Sequence, residues 1–268
     1  MLTAAGLSAL LGGRLTGVAA ETRLHGVAAR LDAGPSDVAV LHAAPVGRLR
    51  GQLQACRAGL LVVGEAVALP SGSPTALLRV ADPGGALLVL LEEFHPNHLE
   101  LHTIHPSCVM DPGATIAPDV TVGPLCVVDA GASVGAGSVL QAHVHVGAGV
   151  SIGRGCRLES GCRLLPGTRL GDGVVVGPGT VIGGAGFGLL APDAAGVRRP
   201  IPQVGGVVIE DGARIGALCA IDRGAFGDTR IGAHARLDNL VQVGHNAAIG
   251  AGAVLCGQAG VAGSATIG

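Results

Sequence analysis

The sequence contains no tryptophan, tyrosine or lysine, and its only aromatic residues are Phe94, Phe187 and Phe226. Aromatic side chains normally supply much of a globular core's buried area. The interior here has to be filled by Val, Ile, Leu, Ala and Cys, which suits a narrow core of regular cross-section. All 17 basic side chains are arginine, which reads as genomic bias. A net charge of −2 provides no basic field, so nucleic acid is excluded as an expected partner. The longest apolar stretches, around 58–70 and 85–92, are too short and too interrupted to span a bilayer, so no transmembrane segment is expected. The N-terminus lacks the charged start and unbroken apolar run of a signal peptide, which makes the cytoplasm the expected compartment. The seven cysteines are odd in number and include no C-x-x-C pair, so neither a disulfide framework nor a metal site is expected.

Glycine is abundant, at 47 of 268 residues, yet follows no strict three-residue period, and 49% apolar content argues against disorder. The order lies at period six. From His105 to Ile182 the chain divides into thirteen consecutive hexads, HPSCVM, DPGATI, APDVTV and so on to GPGTVI. The sixth position is Met, Ile, Val or Leu in every one, which chance would produce on the order of once in a million registers. The fourth position is always small. Residues two apart on a strand share a face, so positions four and six both point inward. Nine of the thirteen third positions are Gly, as a tight corner with positive φ requires. Three short strands and three corners make one triangular coil of eighteen residues, and the expected fold is a left-handed parallel β-helix of hexapeptide repeats. Cys108, Cys126, Cys156, Cys162 and Cys219 all take the small inward position and read as packing residues.

After Ile182 the register breaks into a Gly- and Pro-rich excursion, residues 183–206, of the kind that often carries function. The repeat resumes with EDGARI and GALCAI and carries a four-residue insertion in DRGAFGDTRI. Six more hexads then run from Gly232 to Ile267. The chain stops there without a capping element, which predicts either a truncated product or an end covered by something else. Residues 1–104 show no hexads and are expected to form a small α/β domain, with helical stretches at Leu7–Leu11 and Ala86–Phe94. Its expected strands are Val38–Leu41, Leu60–Val63 and Ala76–Val80. The β-helix domain is expected over 105–268.

Because the inside of such a coil is filled, catalytic residues must lie outside. His245 takes the second, outward position of its hexad, and Gly263 takes the same position eighteen residues on. Adjacent coils stack at about 4.8 Å, like paired strands. A base and an unobstructed backbone amide one rung apart are what amine attack on a thioester needs: one group to take the proton, one to stabilise the tetrahedral oxygen.

The runs IPQVGGVVI, IDRGAFGDT (221–229), LDNLVQVGHN (237–246) and GQAGVAGS (257–264), with the GFG of Gly186–Gly188, resemble UDP-3-O-acylglucosamine N-acyltransferases of lipid A biosynthesis. That resemblance implies transfer of a 3-hydroxyacyl chain from acyl carrier protein to the sugar 2-amine. It implies a homotrimer with sites in the clefts between subunits, and no cofactor beyond the carrier's phosphopantetheine. It makes His245 the general base and Gly263 the oxyanion donor, with Asp238, Asn239 and Asn246 lining the sugar and thioester end. The first domain becomes one that binds the nucleotide sugar. The family grips uracil with aromatic side chains, and VLHAAPVGRLRGQL (40–53) has none. Two alternatives therefore stay open, a hexapeptide acyltransferase acting on another sugar and an inactive trimeric scaffold. Phe187 either packs its loop down or lines an acyl groove. His143 and His145 read as solvated surface and the cluster His95, His98, His102 and His105 as linker polarity. Arg198 and Arg199 either meet a phosphate or stand as exposed loop residues.

Overall fold

The computed structural model describes residues 2–42, 50–95 and 103–268. The chain divides into two units, Met1–His98 and Leu99–Gly268.

In the first unit, strands β1 (Leu2–Thr3) and β3 (Arg23–Leu24) pair antiparallel. Helix α1 (Ala4–Leu11) begins at Thr3, whose side chain accepts the Gly6 amide, and stops at Gly12 in the left-handed region. A five-stranded sheet follows in the order β2 (Arg14–Thr16), β7 (Leu77–Val80), β6 (Leu60–Gly64), β5 (Asp37–Val40), β4 (Gly26–Val27). All its pairings are parallel except β2 with β7. Helices α2 (Arg50–Ala55) and α3 (Pro83–Phe94) complete the unit, the latter opening on Asp82 as cap and Pro83 in its first turn. The central run Leu60–Val63 is wholly buried because it serves two cores. Leu60 and Val62 pack with Leu7 and Leu90, whereas Leu61 and Val63 pack with Leu53.

The second unit is a parallel β-helix whose short strands stack into three sheets of seven, eight and eight strands. Registers such as Val127↔His145 and His145↔Arg163 advance by eighteen residues per coil. Positions four and six line the interior as the repeat predicts: Val144 and Val146 are buried while His145 between them faces out. The first rung forms earlier than the expected start at His105. Ile104 already bridges Val122 in parallel, so the coil begins one strand before its hexads become legible.

The corners explain the third position. Among the described residues eight non-glycine residues have positive φ: Leu125, His143, Leu218, His234, Leu240, Asn246, Gln258 and Ser264. Each occupies the third place of its hexad, the place Gly takes elsewhere. The first position is tight for a different reason, close approach of the next coil. A Cβ on Gly153 would lie 2.4 Å from the Gly171 carbonyl oxygen, whereas one on Gly155, at φ 60°, meets nothing. Polar fourth-position side chains are satisfied inside the coil by donating to a first-position carbonyl on the next rung. The Cys126 thiol reaches Gln141 O at 2.9 Å, Ser138 reaches Gly153 O at 2.9 Å and Thr180 reaches Gly216 O at 2.7 Å. Burial pushes the thiols of Cys126, Cys156 and Cys219 up, and that of Cys162 up to about 12. Among the described residues no helix is long and apolar enough to cross a membrane.

Two measurements check this account. Thermal unfolding of Gly155→Ala should show a loss of about 1 kcal/mol, the price of a left-handed backbone for an L-residue. Gly153→Ala should cost more, and the reverse ranking would refute the corner assignment. At pH 8 a thiol alkylating reagent should label exposed Cys256 quickly and Cys162 only after unfolding, as mass spectrometry of the modified peptides would show.

Candidate active site

His245 stands at the corner between strand Gln242–Val243 of one sheet and strand Ala248–Ile249 of the next. The corner itself is made by Asn246, at φ 59°. Asn tolerates this conformation better than most residues, and it is anchored at three points. Its amide donates to Thr229 Oγ1 at 2.8 Å, its Oδ1 accepts the Ala225 amide at 2.8 Å, and the same oxygen lies 3.2 Å from His245 Nδ1. A backbone amide can only donate, so the Asn246 atom that meets it is the carbonyl oxygen. That oxygen can only accept from the imidazole. Nδ1 therefore carries the ring proton, and Nε2 is left with its lone pair free.

Two glycines hold the ring from either side. A Cβ on Gly263 would lie 2.7 Å from His245 Nε2, and one on Gly186 would lie 2.6 Å from His245 Cβ. No real Cβ approaches so closely, so both positions exclude any side chain while the ring keeps its place. The Gly263 amide has no hydrogen-bond partner among the described residues, whereas the Ser264 amide beside it donates to the His245 carbonyl at 2.8 Å.

Gly186 belongs to the excursion, so the loop read as a break in register in fact folds back onto the histidine. Its return leg is stitched to the second insertion by Val204 N–H to Ala225 O at 2.9 Å and Gly205 N–H to Gly224 O at 3.0 Å. Arg223 ties down the start of the loop, donating to the carbonyls of Gly183 and Pro166, each at 2.7 Å. Asp228 bridges Arg169 and Arg230. The motif IDRGAFGDT is thus a platform for one corner. Sequence reasoning singled out the motif but assigned no role to Asp222, Arg223, Ala225 or Thr229. Their partners lie one coil or more away, and no single-sequence spacing displays them. Phe187 and Phe226 are 87% and 83% exposed on the two loops. Of the two readings of Phe187, packing the loop down is not what the chain does.

The structure does not gather all the expected site residues. Asp238 and Asn239 sit at the preceding corner, between strand Arg236–Leu237 and strand Gln242–Val243, one full side of the triangle from His245. There Asp238 accepts the amides of Asn239 at 2.8 Å and Gly257 at 3.1 Å, and Asn239 accepts the Ala217 amide at 2.7 Å. They line a cavity of about 510 Å³ with Glu159, Arg214, Arg236 and Cys256. In the first unit a separate cavity of about 420 Å³ is lined by Arg30, Asp32, His42 and Gln52, with Leu87 and Leu91. Arg30 donates to Val40 O and Gln52 Oε1 there, and its Nε is buried without a partner. Residues 43–49 of the stretch compared with the uracil-binding segment lie outside the described residues.

The other histidines separate cleanly. His143 is exposed at a left-handed corner and His145 is 2.9 Å from Asp129. His105 contacts Ser107, while His98 and His102 lie outside the described residues. Among the described residues no three His, Cys, Asp or Glu side chains are grouped to hold a metal. Arg198 and Arg199 are exposed on the excursion, Arg199 within 3.6 Å of Asp193.

Replacing Gly263 by Ala should force the imidazole off its seat. The clash is with the free end of a half-buried side chain, which can swing aside, so the loss of stability should be small. The displaced ring should show as a shift of the His245 signal in a ¹H–¹³C spectrum, and an unmoved signal with unchanged stability would contradict the packing described.

Residues 149–184 match the bacterial transferase hexapeptide (six repeats) family. A UDP-3-O-acylglucosamine N-acyltransferase of Leptospira biflexa is 48% identical over 84 residues, 31% of this chain and 23% of that protein. UDP-3-O-acylglucosamine N-acyltransferase 1 of Sulfurimonas denitrificans is 52% identical over 83 residues, 31% of this chain and 26% of that one. The match thus spans about a quarter of these curated relatives' own length. Among solved structures, an Arabidopsis UDP-N-acetylglucosamine acyltransferase aligns at 25% identity over 61% of this chain and 60% of that one. Its TM-score of 0.47 is too loose a likeness for any inference to rest on. The chain carries hexapeptide repeats wound as a parallel β-helix, and over nearly a third of its length it resembles UDP-3-O-acylglucosamine N-acyltransferases.

Proposed function

We propose that this protein transfers a 3-hydroxyacyl chain from acyl carrier protein to the 2-amine of a UDP-3-O-acylglucosamine, in the cytoplasm, with His245 as general base. The observation that carries the reading is the His245 ring. Its Nδ1 is committed to Asn246, and its Nε2 lies against the side-chain-free backbone of Gly263. In the proposed step the amine nitrogen attacks the thioester carbonyl carbon while Nε2 takes its proton. The Gly263 amide receives the developing oxyanion. The carbon–sulfur bond then breaks, and the imidazolium returns the proton to the departing thiolate. The thioester belongs to the carrier's phosphopantetheine, so the protein itself need supply no cofactor. Exposed Phe187, next in sequence to the Gly186 that abuts the ring, would line the path of the acyl chain.

Asp238 and Asn239 can join His245 in one site only if a second copy brings its own corner alongside, and a homotrimer with sites between subunits meets that requirement. The cavity beside Arg30 and His42 is the place in the first unit proposed for the nucleotide. Among its described lining residues there is no Phe, Tyr or Trp. Stacking on such rings would ordinarily contribute about 1–3 kcal/mol, and a lining without them favours a second reading, a transferase acting on a different sugar.

The test is turnover of 3-hydroxyacyl carrier protein with UDP-3-O-acylglucosamine, the amide product followed by mass spectrometry. His245→Ala should lower the rate by about 100- to 10,000-fold, the usual worth of general base catalysis. A chain that turns over only another nucleotide sugar would establish the second reading, and a fully active His245→Ala would remove the base from its role.

A further inference from the structure

Acidic residues recur at the first position of the hexads, and nearly all of them do structural work at a corner. Asp111 accepts the Gly113 amide, Glu210 accepts the Ala233 amide and Asp238 accepts two amides. Asp129 pairs with His145 and Glu159 with Arg157. Asp222 holds the same first position and does none of this. Its Oδ2 accepts Gln242 Nε2 at 3.0 Å, and its Oδ1 has no hydrogen bond among the described residues.

The register locates what it faces. Ala220 pairs with Gln242 and Ile221 with Val243, so continuing by one residue sets Asp222 opposite Gly244, the residue before His245. On its other side a bulge between Ile182 and Gly184 brings Gly184 opposite Asp222. The neighbouring charges are committed elsewhere: Arg223 to the carbonyls of Gly183 and Pro166, and Asp228 to Arg169 and Arg230. Desolvation pushes the Asp222 carboxyl up, and the His245 ring, followed by the Gln242 hydrogen bond, pulls it back toward the charged form. Among the described residues no arginine pairs with this carboxylate, and the cation that would form beside it is the His245 imidazolium. Asn246 already occupies Nδ1, so Asp222 does not stand behind the ring as a hydrogen-bonded orienter.

We infer that Asp222 is a positioning residue whose carboxylate, held by Gln242 on the rung beside His245, stabilises the imidazolium that forms when Nε2 takes a proton from the attacking amine. The inference rests on the acyl transfer reading. Asp222 itself exchanges no proton. It lowers the energy of the charge-separated state, as a fixed anion near a forming cation does. Gln242 fixes its orientation by donating to Oδ2.

The experiment compares the parent protein with Asp222→Asn, Asp222→Glu and His245→Ala, measuring kcat and KM across pH 5.5–9. Asp222→Asn keeps the shape and removes the charge. It is expected to lower kcat by about tenfold or more with little change in KM, and to move the acidic limb of the rate profile toward lower pH by about one unit. Asp222→Glu should restore the limb even if kcat stays reduced, which a merely structural role would not produce. If His245→Ala is inactive and Asp222→Asn behaves like the parent, this inference is overturned and the reading of His245 stands. If the parent shows no acyl transfer, or His245→Ala retains it, both fall together.

Discussion

A triangular coil must turn three times per eighteen residues, and most of its turns set one residue in a left-handed backbone. That demand is the constraint on which the site is built. At most corners Gly meets it and leaves nothing behind but a bend. At residue 246 the chain uses Asn, and the side chain that tolerates the strained backbone also presents a carbonyl to the adjacent imidazole. The corner that shapes the fold thereby fixes the tautomer of His245. Fold and chemistry share one residue, and the Ala225 amide and the Thr229 hydroxyl both hold it in place.

The two insertions belong to the same construction. The stacking resumes across both, with a bulge between Ile182 and Gly184 where the first begins: Thr168 still pairs with Val207, and Val207 with Thr229, across the inserted residues. What they add is material outside the ladder, stitched together and pinned by Arg223 over the His245 corner. The rigid rungs set the height of the histidine, and the loops decide what surrounds it. This division of labour matches the general tendency of function to collect on loops carried by a regular scaffold.

Much of this was legible in the residues. The aliphatic sixth position, small fourth position and Gly-rich third position follow from local geometry repeated many times, and repetition is what a single sequence displays best. The eighteen-residue step from His245 to Gly263 is arithmetic on that repeat, and the structure does seat the ring against that glycine. The first rung at Ile104 escaped because one strand has no period to reveal it. The return of Gly186 to His245 escaped because a loop's path depends on contacts 59 residues away, on which periodicity is silent. The distribution of Asp238 and His245 over two corners was implicit in their hexad positions, since each new hexad turns onto another side of the triangle. Resemblance to a family grouped these residues, whereas the winding of a single chain keeps them apart.

The ring of His245 and the amide of Gly263 belong to successive rungs, and in a solenoid each rung is stabilised chiefly by the one before and the one after. The arrangement therefore persists only while those two neighbours stay docked, whatever the state of the remaining length. Local fraying, rather than loss of the fold as a whole, sets how long the pair keeps its geometry. Val261 and Ala265 still pack inward on the outer of the two coils, and backbone bonds such as Ser264 N–H to the His245 carbonyl complete the restraint on that lifetime.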